Sequence, residues 1–112
     1  MQKTDTVRLR HMLDAAREAL AFAQGRRRSD LDKDRMLVLA LVKSIEIIGE
    51  AASKVSPETC SAVPGLPWSS IVGMCNRLIH AYFDIDLDRV WDTIIDDLPP
   101  LVTELERNLR NL

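Results

Sequence analysis

One hundred and twelve residues make one domain, since domains typically run to roughly 100–150 residues. With 46% apolar and 29% charged residues the composition is that of an ordinary soluble globular chain. The longest apolar run, Met36 to Val42, falls far short of the roughly 20 residues a membrane-spanning helix needs. The net charge of −2 is uneven. Residues 1–55 carry 11 basic and 8 acidic side chains, and residues 56–112 carry 4 and 9. The chain as a whole is therefore no general polyanion binder, and any nucleic-acid contact must come from a local patch or an assembled oligomer.

In chain order, the first predicted helix covers about Thr6 to Gln24. Leu9, Leu13, Ala16, Leu20 and Ala23 follow the 3.6-residue period of one buried stripe. Asp5 or Thr4 suits its start, and Gly25 suits the left-handed position beyond its end. The basic turn Arg26-Arg27-Arg28-Ser29-Asp30 comes next, with Ser29 and Asp32 at capping-box spacing. This turn reads as a solvated face or as the phosphate-contacting rim of a cleft. A long helix from Leu31 to Val55 follows, and Gly49 inside it implies close helix packing.

Ser56-Pro57 suits the start of a short helix. Pro64-Gly65-Leu66-Pro67 is the clearest break. A third long helix is expected over Trp68 to Phe83. A last helix is expected from Leu87 to Asp97, kinked at Pro99-Pro100 and resuming to Asn108. The fold class is all-α: a bundle of four to five helices in a single domain over residues 1–112. The first and last helices look generously apolar for so small a core, so part of that surface is expected to meet a second copy.

Cys60 and Cys75 make no disulfide framework and no zinc-ligand spacing, which suits a reducing, cytoplasmic setting. The opening residues show no apolar stretch of a secretory signal. Asp84, Asp86 and Asp88 alternate in a linker and read as solvated or helix-capping rather than as a metal site. Glu46 and Glu50, one turn apart, either orient Arg77 or His80 or face solvent. No cofactor and no metal are expected.

The segment Cys75-Asn76-Arg77-Leu78-Ile79-His80-Ala81-Tyr82 gathers five polar or reactive side chains within eight residues. On a continuous helix Asn76 and His80 would share a face with Arg77 beside them. Cys75 and Tyr82 would point elsewhere, so two copies would be needed to bring position 75 to His80. A hydrogen-bonded pair that ties helices together is the structural alternative.

The chain resembles the HepT-type toxins of the HEPN superfamily, small helical ribonucleases of prokaryotic toxin–antitoxin pairs. The resemblance rests on four strings in order. These are Ile45-Glu-Ile-Ile-Gly-Glu-Ala-Ala52, Leu66-Pro-Trp68, Asn76-Arg-Leu-Ile-His-Ala-Tyr82, and Val90-Trp91 followed by Asp97-Leu-Pro99. It implies an HEPN-type bundle, a homodimer and an RNA substrate. It also implies a nucleotidyltransferase antitoxin of the MntA type that transfers AMP to Tyr82. The family motif is Arg-x4-His-x-Tyr. His80 and Tyr82 match it, and Cys75 stands at the arginine position. Arg77 lies too close to His80 to be that arginine.

Metal-free RNA cleavage activates a ribose 2′-OH, attacks the adjacent phosphorus and protonates the leaving 5′-oxygen. His80 suits the proton transfers. The motif arginine would steady charge on the phosphoryl oxygens, a role a cysteine cannot fill. The expectation is a weakened or absent nuclease, with His80 catalytic, Cys75 at the arginine position, Asn76 supporting, Arg77 contacting RNA and Tyr82 the AMP acceptor. The alternative is a non-catalytic helical module that retains only antitoxin binding.

Overall fold

Helices α1 (Lys3–Ala23) and α2 (Arg35–Ser53) form the spine of the bundle. The structure is a computed structural model that describes residues 1–81 and 84–110, with the backbone alone at Cys75 and at residues 79–81. On α1 the expected stripe is buried at Leu9, Leu13, Ala16 and Ala23, while Leu20 is half-buried. Met12, Ala15 and Ala19 join it. The small alanines let α2 approach closely and present Leu41, Ile45 and Ile48, all fully enclosed. Gly25 takes φ +74° at the end of α1, the left-handed geometry only glycine adopts freely.

The start of α1 differs from expectation. The helix begins at Lys3, so Asp5 lies inside its first turn and caps nothing. Its buried carboxylate instead accepts from the Ser56 amide (3.0 Å), the Ser56 hydroxyl (2.6 Å) and the Thr59 hydroxyl (2.6 Å). Ser56 caps α3 (Pro57–Ala62) as expected, so Asp5 ties the start of one helix to the start of another.

The long second helix also starts later than the sequence suggests. A 3-10 turn over Arg28–Asp32 holds Leu31 in the core, and Asp30 accepts from the Arg27 amide (2.7 Å). Asp34, not Ser29, caps α2 by accepting from the Leu37 amide (3.0 Å). Gly49 is buried, and a Cβ there would lie 3.4 Å from the Ile71 carbonyl oxygen, so the close packing is real, with room for one carbon at van der Waals contact.

The predicted helix over Trp68 to Phe83 is corrected. Helix α4 spans only Trp68–Val72. Its last helical bond is Gly73 N–H to Ser69 O (3.1 Å). A tighter 3-10 turn over Cys75–Arg77 follows, with Asn76 N–H to Gly73 O (3.2 Å) and Arg77 N–H to Met74 O (3.2 Å). Gly73 is a poor helix former, and fully buried Leu78 pulls the chain inward. Strand β1 (Ile79–Ala81) then pairs antiparallel with β2 (Asp84–Ile85), and Asp86 N–H bonds Leu78 O (2.6 Å).

Helix α5 (Leu87–Asp92) is capped by Asp86, which accepts from the Arg89 amide (3.0 Å). A π-helical turn over Thr93–Asp97 leads into α6 (Leu98–Arg110). The widened turn comes directly before Pro99-Pro100, where the kink was expected: Leu98 N–H bonds Thr93 O, five residues back, and α6 continues from there through both prolines, which lack an N–H to donate. Leu98, Leu101, Leu105 and Leu109 are buried, α6 packs against α1, and Arg17 bridges to Glu106 at 2.6 Å.

Apolar surface is exposed on the first and last helical stretches, at Val7 and Phe22 of α1 and at Ile95 in the π turn, and it is exposed on the outer face of α2 as well. Met36 is 82% exposed and Leu39 49%, and Ile47 is also exposed. Three turns separate Met36 from Ile47, which keeps them on one side of the helix.

Candidate functional site

The turn after α4 decides where the motif residues stand. Successive residues of a 3-10 turn point about 120° apart. Asn76 and Arg77 therefore diverge, and the shared helical face expected for Asn76, Arg77 and His80 does not form. His80 is the middle residue of β1, and Cys75 opens the 3-10 turn. Tyr82 lies outside the described residues.

Asn76 lines an open groove of about 560 Å3. Arg8 and His11 from α1, Lys43, Glu46 and Glu50 from α2, and Val72 from α4 share it. Arg8, His11 and Lys43 were not singled out from the sequence. Their only signal was a Arg-x2-His spacing on the outer face of α1, common on any solvated helix. Glu46 lies 3.7 Å from Lys43 and Glu50 3.0 Å from Lys54, so neither carboxylate orients Arg77.

Arg77 faces a different cavity, of about 340 Å3, between α4, the π turn and the start of α6. Its Nη2 donates to the Ser70 carbonyl (2.8 Å). Arg89, Asp96 and Asp97 line the same cavity, with Met74 and Leu101 as part of its apolar wall. Burial pushes the Asp97 carboxyl above the ordinary range and Asp96 adds to this, while Arg77 and Arg89 pull it back. Among the described residues Asp97 has no side-chain hydrogen bond and no ion pair; in the sequence it stood out only as part of the Asp97-Leu-Pro99 string.

The basic turn is neither free nor simply solvated. Arg26 pairs with Asp34 (3.2 Å), and Arg28 with Asp32 (3.1 Å) and Asp88 (2.6 Å), which pins the turn to α2 and α5. With Asp88 paired and Asp86 capping α5, the acidic linker is structural. Among the described residues no cluster of His, Cys, Asp or Glu is arranged to hold a metal. The Cys60 thiol lies 3.9 Å from the Val55 carbonyl, and burial raises its pKa, which leaves it a protonated packing group. Among the described residues no helix is long and apolar enough to cross a membrane.

A small all-α bundle in which a tight turn brings Asn76 to such a groove and leads into the short strand that holds His80 is of the HEPN type. Comparison with known proteins gives the family: the chain belongs to the HepT-like ribonucleases, whose family model, described as "Ribonuclease HepT-like", matches residues 12–108. A protein of Caldanaerobacter subterraneus named "Putative RNase TTE0752" is 34% identical over 98% of this chain and 95% of its own length. One of Methanocaldococcus jannaschii, "Putative RNase MJ1380", is 31% identical over 85% of this chain and 87% of its own. "Probable ribonuclease HepT" of Thermococcus cleftensis is 34% identical over 66% of this chain and 67% of its own. No solved structure matches the chain.

Proposed function

We propose that the chain is the ribonuclease toxin of a toxin–antitoxin pair, acting as a homodimer in the cytoplasm and weakened by cysteine at position 75. The observation that carries this reading is the family match across residues 12–108, which includes the whole Asn76–Tyr82 string. His80 takes the proton from a ribose 2′-OH or returns one to the leaving 5′-oxygen, chemistry open to an imidazole side chain. The 2′-oxygen forms a bond to phosphorus as the bond to the 5′-oxygen breaks, so no metal is required and DNA is no substrate. Asn76 supports the site from the groove lip.

The missing element is a fixed cation at position 75. Arg77 does not replace it in this arrangement, because its guanidinium is turned to the Ser70 carbonyl and the second cavity. That observation favours the second reading, a helical module that binds the antitoxin without cutting RNA. In either reading the partner is a nucleotidyltransferase. The Tyr82 oxygen attacks the α-phosphorus of ATP, pyrophosphate leaves, and the AMP adduct brings negative charge to the site. Incubation with such a partner and ATP-Mg should add AMP mass to this chain and none to Tyr82→Phe.

Cleavage by Cys75→Arg tests the nuclease reading. One restored electrostatic contact to the transition state should raise RNA cleavage by about 10²-fold or more. Cys75→Arg combined with His80→Ala should stay inactive, since arginine moves no proton. A Cys75→Arg variant that melts like the parent chain yet leaves RNA intact removes the nuclease reading and leaves the binding module.

A further inference from the structure

Three features remain outside the reading above: the outer stripe of α2, the buried Asp5 cluster, and the cavity that receives Arg77. The stripe belongs to the proposed dimer and the Asp5 cluster is internally satisfied. The cavity is neither. Its volume of about 340 Å3 lies within the roughly 300–1,000 Å3 of small-ligand pockets. It has apolar walls and charged groups of both signs that do not neutralise one another at contact distance.

We propose that this cavity is a base-specific subsite that takes a guanosine of the bound RNA, with Asp97 reading the base. The inference rests on the ribonuclease reading and adds a sequence preference to it. The ring would lie against the apolar lining formed by Pro67, Met74 and Leu101. Asp97 is an exposed carboxylate on the cavity lining, without a hydrogen-bond partner among the described residues. An ionised carboxylate accepts only, and two of its lone pairs match two parallel N–H donors. Guanine alone among the four bases presents such a pair, N1–H and the exocyclic amine on one edge. Its opposite edge presents O6 and N7, two acceptors that a guanidinium fork satisfies.

Arg77 and Arg89 both line the cavity, and both act electrostatically on Asp97 without forming an ion pair with it. Arg77, whose Nη2 already donates to the Ser70 carbonyl, has its remaining N–H groups for O6 and N7, and the Arg89 fork takes the neighbouring phosphate, which guanidinium binds bidentately. Adenine offers a single exocyclic donor group beside an acceptor, cytosine likewise, and uracil one ring N–H. None of them satisfies Asp97 twice. The cavity opens beside the turn that carries Cys75 and Asn76, so a nucleotide held there lies next to the segment that leads into His80.

Binding of mononucleotides to the unaltered chain tests this without requiring cleavage. GMP should perturb the amide resonances of Asp97, Arg89 and Met74 and bind roughly 10-fold or more tightly than AMP, CMP or UMP, the scale of one bidentate base contact. Asp97→Asn should abolish the preference for GMP while the circular dichroism spectrum is unchanged. Arg89→Gln should weaken GMP and leave guanosine without phosphate unaffected. Equal binding of all four nucleotides, or a GMP preference that survives Asp97→Asn, overturns the subsite. Failure of Cys75→Arg to cut RNA while Asp97-dependent GMP binding persists removes the nuclease reading and leaves the guanosine site standing.

Discussion

Asn76 and Arg77 are neighbours in the chain and line different depressions: Asn76 the groove between α1 and α2, Arg77 the cavity beneath α4. The divergence follows from the 3-10 turn and has a kinetic consequence. In the Cys75→Arg background, Asn76→Ala should lower cleavage at saturating RNA by up to about 10-fold, the scale of one lost neutral hydrogen bond. Arg77→Ala should raise KM and leave kcat within about twofold, because a contact made equally in ground and transition states affects binding alone. Single-turnover measurements on the two variants separate the roles. Equal loss of kcat in both would place them on one site.

The Asp5 cluster sets the acid limb of stability. Hydrogen bonds from Ser56 and then Thr59 hold its carboxyl below its ordinary value of 3.8, with the Ser56 amide adding to them. A carboxyl with a depressed folded pKa contributes stability above the unfolded value and loses it as pH falls through the folded one. Asp34, held down by the Leu37 amide, and Glu104, held down by Arg107, act in the same direction. The melting temperature should therefore be flat above about pH 5 and fall steadily below it. Asp5→Asn should lower the plateau and make the fall shallower. A melting curve against pH for the two proteins reads both effects, and an unchanged slope would show that Asp5 is not a principal contributor.

Two glycines should respond in opposite ways. Gly25→Ala forces a side chain into φ +74° and should destabilise by about 1 kcal/mol, even though nothing lies within 4 Å of the added carbon. Gly49→Ala adds a carbon at ordinary contact distance from the Ile71 and Val72 carbonyls and improves helix propensity, so it should be neutral or stabilising by up to about 1 kcal/mol. Gly49→Val overfills the same gap and should cost about 1–3 kcal/mol. Urea unfolding midpoints distinguish the three, provided the slopes agree.

The long elements were legible because each carries its own periodic signal. Leu9, Leu13 and Ala16 on α1 lie on the stripe that the sequence predicts and are buried there, and α6 was expected in outline. Residues 73–86 were not legible as a structure. The bond from Asp86 N–H to Leu78 O and the pairing of β1 with β2 are made across the chain. A string such as Leu-Ile-His-Ala-Tyr-Phe does not forbid a helix. The identities of the motif residues were therefore readable while their directions were not. Arg8, His11 and Lys43 gave no warning at all, since exposed charges on helices are the rule. Asp34 took the cap from Ser29 because Leu31 is held in the core ahead of it, a tertiary preference that the local spacing does not contain.

The outer face of α2 gives the assembly its test. A dimer was expected from the helical spacing of positions 75 and 80 and from surplus apolar surface; the first basis falls away because α4 ends at Val72. What supports the dimer now is apolar surface: Met36, Leu39 and Ile47 align on α2, and Val72 of α4 is 44% exposed. Ile47 and Val72 also line the groove that holds Asn76, so a second copy on this face would stand beside the groove. A two-fold interface presents the same patch twice, which makes one substitution act from both sides. Leu39→Glu should therefore yield a monomer at micromolar concentration, where the parent should sediment as a dimer. Its fold should survive, because Leu39 lies outside the core. The parent's melting temperature should rise with protein concentration and that of Leu39→Glu should not, by mass action. In the Cys75→Arg background the monomeric variant should lose cleavage by at least about 10-fold if the partner copy completes the site. A Leu39→Glu chain that still sediments as a dimer moves the interface elsewhere, and a monomer that cuts RNA at full rate removes the second copy from the chemistry.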